Sequence, residues 1–93
     1  MNTAAEIYKA LGNETRLSIV MELARRNHEV QGAKILSGCS LALGLAQPTL
    51  SQHFAKLVAS GLLHERKQGT EKYYSLNTEA LESAGIDVQR WRQ

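Results

Sequence analysis

The stretch QPTLSQHFAKLV, from Gln47 to Val58, alternates two kinds of side chain in a pattern that could do chemistry at a surface. Leu50, Phe54, Leu57 and Val58 recur three or four residues apart, so a helix would gather them on one side. Thr49, Gln52, His53 and Lys56 then face outward, with Gln47 and Ser51 nearby. These groups donate and accept hydrogen bonds and carry one fixed positive charge. An exposed helix of that width fits the major groove of duplex DNA, where Gln can pair bidentately with adenine and short hydroxyls can meet bases or phosphates. Covalent chemistry is a poor fit. An enzyme built on Cys39 and His53 would need nucleophile and base at hydrogen-bond reach, an orienting group and a pocket. Here the first is expected toward the core and the second outward, with no Gly-rich oxyanion loop, so no catalysis is expected.

A second basic element follows. LLHERKQGTEKYYSL reads as two strands around Gln68-Gly69-Thr70, with Leu63 on the first and Tyr74 and Leu76 on the inner face of the second. Gly69 keeps the tip slim, and Arg66, Lys67 and Lys72 suit a phosphate backbone or a minor groove.

The rest of the chain must hold these two elements in place. Thr3 and Glu6 have the spacing of a capping box, and Ala4, Ile7, Tyr8 and Leu11 form a helical stripe closed by Gly12. Asn13 is the expected N-cap of a second helix. Its inner stripe is Leu17, Val20, Met21 and Ala24, widened by Ile19 and Leu23, with Arg25 and Arg26 in the last turn. NHEVQGAKILSG reads as a connection with a short strand near Val30. Leu36, Cys39 and Leu43 share a face, which predicts a short third helix closing at Gly44. Pro48 suits the first position of the fourth helix, where its missing N–H costs nothing, and Gly61 supplies the stop. Asn77 or Thr78 caps a last helix along which Leu81, Ala84, Val88 and Trp91 line up, weakened in the middle by Gly85. A helix, the turn LGLAQ, a second helix and a basic hairpin describe a winged helix-turn-helix. The expected fold is mainly α with a β-hairpin wing, in one DNA-binding domain over residues 1–93.

Composition agrees with a small globular domain: 93 residues, 43% hydrophobic and 22% charged. A net charge of +2 permits nucleic-acid binding without demanding it, so the clustering of the basic residues matters more than their sum. No apolar run is long enough to span a bilayer and the start does not read as a signal peptide, so the expected location is cytoplasmic. The single cysteine excludes an internal disulfide and an all-cysteine metal site within one chain. His28, His53 and His64 fall in a loop, the outward helix and the hairpin, and no pair has helical ligand spacing. No metal and no cofactor are expected. Cys39 is expected as a small core residue, the other reading being a redox-responsive thiol.

ALGNETRLSIVMELA followed by LGLAQPTLSQHFAKLVASGLLHERKQGTEKYYSL resembles the arsenic-repressor (ArsR/SmtB) family of bacterial transcription regulators. QPTLSQH and the G-T-x-x-Y-Y-x-L pattern are the most specific parts. The resemblance implies a homodimer built through the first and last helices, binding a palindromic DNA operator and repressing until a signal releases it. Gln47, Thr49, Ser51, Gln52 and His53 match the family's recognition helix; Arg66, Lys67, Gly69, Thr70 and Lys72 match its wing. Ile7, Tyr8, Leu11, Leu81, Val88 and Trp91 are then the expected dimer seam. Departures are clear too. Ile35 and Ser37 stand where relatives often carry a Cys-Val-Cys box, the last helix has no histidine, and Ala46 replaces a common Ser at the turn. The metal-sensor role therefore does not carry over. The inducer is not legible, and a winged-helix module that binds protein instead of DNA is the alternative class.

Overall fold

The computed structural model describes residues 3–39 and 44–92. Helix α1 (Ala4–Leu11) starts with the expected capping box: the Glu6 amide donates to Thr3 Oγ1 at 3.3 Å and the Thr3 amide to Glu6 Oε1 at 3.0 Å. It ends at Gly12. Helix α2 (Glu14–Arg26) starts at Asn13, whose side chain accepts from the Arg16 amide, and ends at Asn27 in the left-handed region, φ 56°. Then follow β1 (Val30–Gln31), α3 (Gly32–Ser37), α4 (Gln47–Ala59), β2 (Leu63–Gln68), β3 (Glu71–Leu76), α5 (Thr78–Ser83) and a 3₁₀ turn over Val88–Arg92.

The buried stripe of α2 is Ile19, Val20, Leu23 and Ala24. Met21, expected among them, is 36% exposed, and Glu22 takes the inward place instead. A carboxylate is tolerated there because Arg25 and Arg26, one turn on, both donate to it. Burial opposes ionisation of Glu22, but the hydrogen bonds from Arg26 and Arg25 outweigh it and hold the carboxyl below its ordinary range. Arg26 also donates to the Lys34 carbonyl, which ties α2 to α3.

Several helix boundaries differ from the sequence pattern. Helix α3 begins at Gly32, within the expected connection, and closes at Gly38, whose amide donates to the carbonyls of Ile35 and Leu36. It does not run on to Gly44, and Leu43 lies outside the described residues. Cys39 is buried just beyond the helix. At the far end, the stripe from Leu81 to Trp91 is not one helix. After α5 the Gly85 amide donates to the Glu82 carbonyl, the Ile86 amide to that of Leu81, and Gly85 takes φ 86°. That is a Schellman stop, in which glycine accepts a left-handed conformation that other residues resist. The same bond pair closes α4, from Gly61 to Val58 and from Leu62 to Leu57, with Gly61 at φ 82°. Pro48 is the second residue of α4, one later than expected, and still among the amides with no intrahelical partner.

The sheet has the order β1-β3-β2 and is antiparallel throughout. Lys67 faces Lys72 and Gln68 faces Glu71 across a two-residue turn, Gly69-Thr70, with Gly69 at φ 63°. One core joins the layers: Ile19, Leu23, Ile35, Leu57, Leu62 and Leu81 are essentially inaccessible. Phe54 of α4 stacks on Tyr74 of β3, ring centroids 4.4 Å apart and 14° from parallel. This stack fixes α4 against the hairpin and so sets the relative position of the two basic elements.

Candidate nucleic-acid interface

Helix α4 divides as its spacing predicts. Leu50, Phe54 and Leu57 are buried and Val58 is half-buried, while Gln47, Thr49, Ser51, Gln52 and Lys56 are exposed. Ala46 caps the helix with no side-chain hydrogen bond, as its missing hydroxyl requires. His53 is the exception on the outer side. It is half-buried, and its Nδ1 lies 3.4 Å from Nη1 of Arg16, which arrives from α2. Partial burial, then the positive charges of Arg16 and Lys56, hold the imidazole below its usual pKa.

The hairpin has two unlike faces. Cross-strand partners in an antiparallel pair point to the same side, and successive residues to opposite sides. Tyr74 points to the core, so its partner Glu65 and the pair Lys67/Lys72, two residues along, share the side turned toward α4. Burial pushes the Tyr74 phenol up to about 12, with Glu65 adding to the shift. Between this side and α4 lies a cleft of about 410 Å³, with Leu50 and Phe54 on one wall and Glu65, Lys72 and Tyr74 on the other. Lys72 Nζ is 3.8 Å from a Glu65 carboxylate oxygen, while Gly69 and Thr70 are exposed at the tip.

Arg66 lies on the opposite face and is engaged there. Its Nε and Nη2 donate to the Glu29 carboxylate at 2.7–3.2 Å, and Nη1 donates to Gln68 Oε1 at 2.8 Å. The guanidinium also sits 4.6 Å from the centroid of the Tyr73 ring. The hydrogen bonds to Glu29 raise the Arg66 pKa and lower that of Glu29. Of the expected phosphate contacts on the wing, Lys67 and Lys72 are thus brought together on the helix side, whereas Arg66 braces β2 across β3 to the end of the α2–β1 loop.

The expected dimer residues also separate. Ile7, Leu81 and Val88 are buried in the chain's own core, at 2%, 0% and 3% exposure, and have no surface left to offer a partner. Those three are corrected from seam to core. Tyr8 is 51% exposed, with its hydroxyl donating to the Ala84 carbonyl, and Leu11 and Trp91 are partly buried. Cys39 is 3% exposed, which fits the core reading of the thiol. Among the described residues no three His, Cys, Asp or Glu side chains gather into a metal-sized group. Two participants had no sequence signal as site residues. Arg16 lies in the first turn of α2, and Glu29 in the connection between α2 and β1.

Residues 13–65, more than half of the chain, match the profile of the bacterial regulatory protein arsR family. The arsenical resistance operon repressor of Escherichia coli is 40% identical over 90 residues, covering 94% of this chain and 71% of the relative. The arsenic resistance transcriptional regulator ArsR2 of Pseudomonas putida is 36% identical over 81 residues; that match covers 85% of this chain but only 64% of the relative's own length. In three dimensions the chain is similar to reduced HlyU from Vibrio cholerae, with a TM-score of 0.70 and 32% identity over 97% of this chain and 90% of that one. No helix among the described residues is long and apolar enough to cross a membrane. A regulatory-family match over residues 13–65, with relatives and a solved regulator alike over most of the chain, leads to one conclusion: the chain belongs to the arsR family of bacterial regulatory proteins and is a winged helix-turn-helix transcription regulator.

Proposed function

We propose that residues 1–93 act as one DNA-binding domain of a cytoplasmic, homodimeric repressor that binds a palindromic operator. Each subunit lays α4 in a major groove and sets its wing against the flanking backbone. Thr49, Gln52 and His53 meet base edges, and Gln47, Ser51, Lys56, Lys67, Thr70 and Lys72 meet phosphates or sugars. The observation that carries this reading is the placement of Lys67 and Lys72 on the hairpin face turned toward α4. Across the cleft α4 presents Gln47 and Ser51, and the hairpin presents Lys72 beside Glu65, with the Phe54–Tyr74 stack between them. The E. coli relative's name, an operon repressor, supports the repressing role. Tyr8, Leu11 and Trp91 supply the apolar contact between subunits, in line with their partial or full exposure.

The signal that releases the repressor is not of the usual metal class. A soft metal or arsenic(III) needs several thiolates or imidazoles at fixed geometry, and the sequence holds one cysteine, which is buried. Selection of bound duplexes from a random pool at moderate salt tests the whole proposal. The expected result is a two-fold symmetric consensus with half-sites about one turn, ~34 Å, apart. A single unpaired half-site would refute the dimeric operator. No enrichment, together with binding that is insensitive to salt, would point to a protein partner instead.

A further inference from the structure

Arg16 joins three helices. In the first turn of α2, its Nε donates to the Ala10 carbonyl near the end of α1, at 2.7 Å, while Nη1 reaches Nδ1 of His53 on α4. The anchor on Ala10 limits where the guanidinium plane can lie, so the approach to His53 is set by the backbone of a different helix. A guanidinium has donors only and keeps its proton in proteins, which fixes the polarity of the contact: Nδ1 must accept, with its lone pair bare. A neutral imidazole with a bare Nδ1 carries its proton on Nε2, the ring nitrogen farther from Arg16.

We propose that Arg16 is a positioning residue for base recognition: it holds His53 neutral, with the Nε2–H as the ring's outward donor. His53 then selects an acceptor edge (guanine N7 or O6, adenine N7 or thymine O4) at one position of the operator. The inference rests on the proposed placement of α4 in the major groove. The charged groups facing the ring agree with it. Arg16 approaches from α2 and Lys56 from α4 itself, both positive, and both disfavour a second proton on the imidazole. A protonated His53 would turn an Nδ1–H toward the guanidinium, donor against donor, and the hydrogen bond would break. It would also become a cation that meets phosphates as readily as bases, and discrimination at that position would fall.

Nitrogen-15 NMR of the histidine rings in the free, wild-type protein tests the pairing without DNA and without any substitution. The expected spectrum at neutral pH shows His53 as a single tautomer, pyridine-type at Nδ1 and pyrrole-type at Nε2; a proton on Nδ1 overturns the proposal. In Arg16→Met the His53 titration should move to higher pH, and an unmoved curve counts against the pairing. Duplex selection then tests the consequence. His53→Ala should lose the preference at one position, and Arg16→Met should broaden that same position while leaving the others. If His53→Ala leaves the consensus intact, His53 is not a base reader, and the proposed role of that residue fails even where the tautomer is as stated. If His53→Ala broadens a position that Arg16→Met leaves sharp, the reader stands and the positioning role of Arg16 is refuted.

Discussion

The unlike faces of the wing make a sharp contrast between neighbouring cations testable. Lys67 and Lys72 are directly opposed on the face turned toward α4, a like-charge pair whose one ion pair among the described residues joins Lys72 to Glu65 at 3.8 Å. A phosphate placed between them relieves that repulsion. Arg66, one residue away, has its donors on Glu29 and Gln68. Each phosphate that the protein no longer neutralises lowers the slope of log affinity against log salt by about 0.9. Over an increase from roughly 50 to roughly 200 mM salt, the wild type should therefore lose about 3.5-fold more affinity than Lys67→Ala per subunit, or about 12-fold more for a symmetric dimer. Arg66→Ala removes the same unit of charge and should leave the slope where it is, while lowering resistance to urea because the brace to Glu29 is gone. Fluorescence anisotropy with the selected operator across a salt series measures all three proteins. Equal slope changes for Lys67→Ala and Arg66→Ala would show that the wing acts only through its summed charge, and the two-face argument would be refuted.

Three further outcomes are expected. Gln52→Ala should relax preference at one base position by about 1–3 kcal/mol; an unchanged consensus in duplex selection would remove Gln52 from the base readers. Leu81→Ala should cost about 2–5 kcal/mol in urea unfolding, because Leu81 is wholly buried in the chain's own core, and a negligible loss would return it to the dimer seam. Acid should weaken the fold through Glu22. Its carboxyl lies below the ordinary 4.5 in the folded protein, so the unfolded chain binds the proton first as pH falls. The stability that Glu22 contributes is therefore complete above about 4.5 and disappears as pH drops through the folded value. Glu22→Gln should flatten that acid limb in urea titrations at stepped pH, and an identical limb in both proteins would exclude Glu22 as its source.

Much of this protein is local information. The Thr3–Glu6 capping box, the Asn13 cap, the Gly61 stop, the short strand at Val30 and the Gly69-Thr70 turn each depend on a few neighbouring residues, and sequence spacing identifies them. The division of α4 into buried and exposed sides is local in the same sense, since helical periodicity alone assigns it. What periodicity cannot assign is which of two partners a side chain meets. The stripe from Leu81 to Trp91 reads as one helix because the spacing stays in phase, yet Gly85 turns the chain and the 3₁₀ segment returns to the core from another direction. Ile7, Leu81 and Val88 look equally suited to a core or a seam; only the packing of α1, α5 and the 3₁₀ turn within one chain decides for the core. Met21 and Glu22 exchange their expected places because two arginines one turn away satisfy a carboxylate that composition alone would put in water. The partners of Arg66 and His53 are each 37 residues distant in sequence, at Glu29 and Arg16. The sequence therefore determines that this chain carries a reading helix and a basic wing. Which cations remain available to DNA, and which tautomer His53 presents, is decided by contacts between elements, because a fixed guanidinium serves whichever acceptor the fold brings within reach.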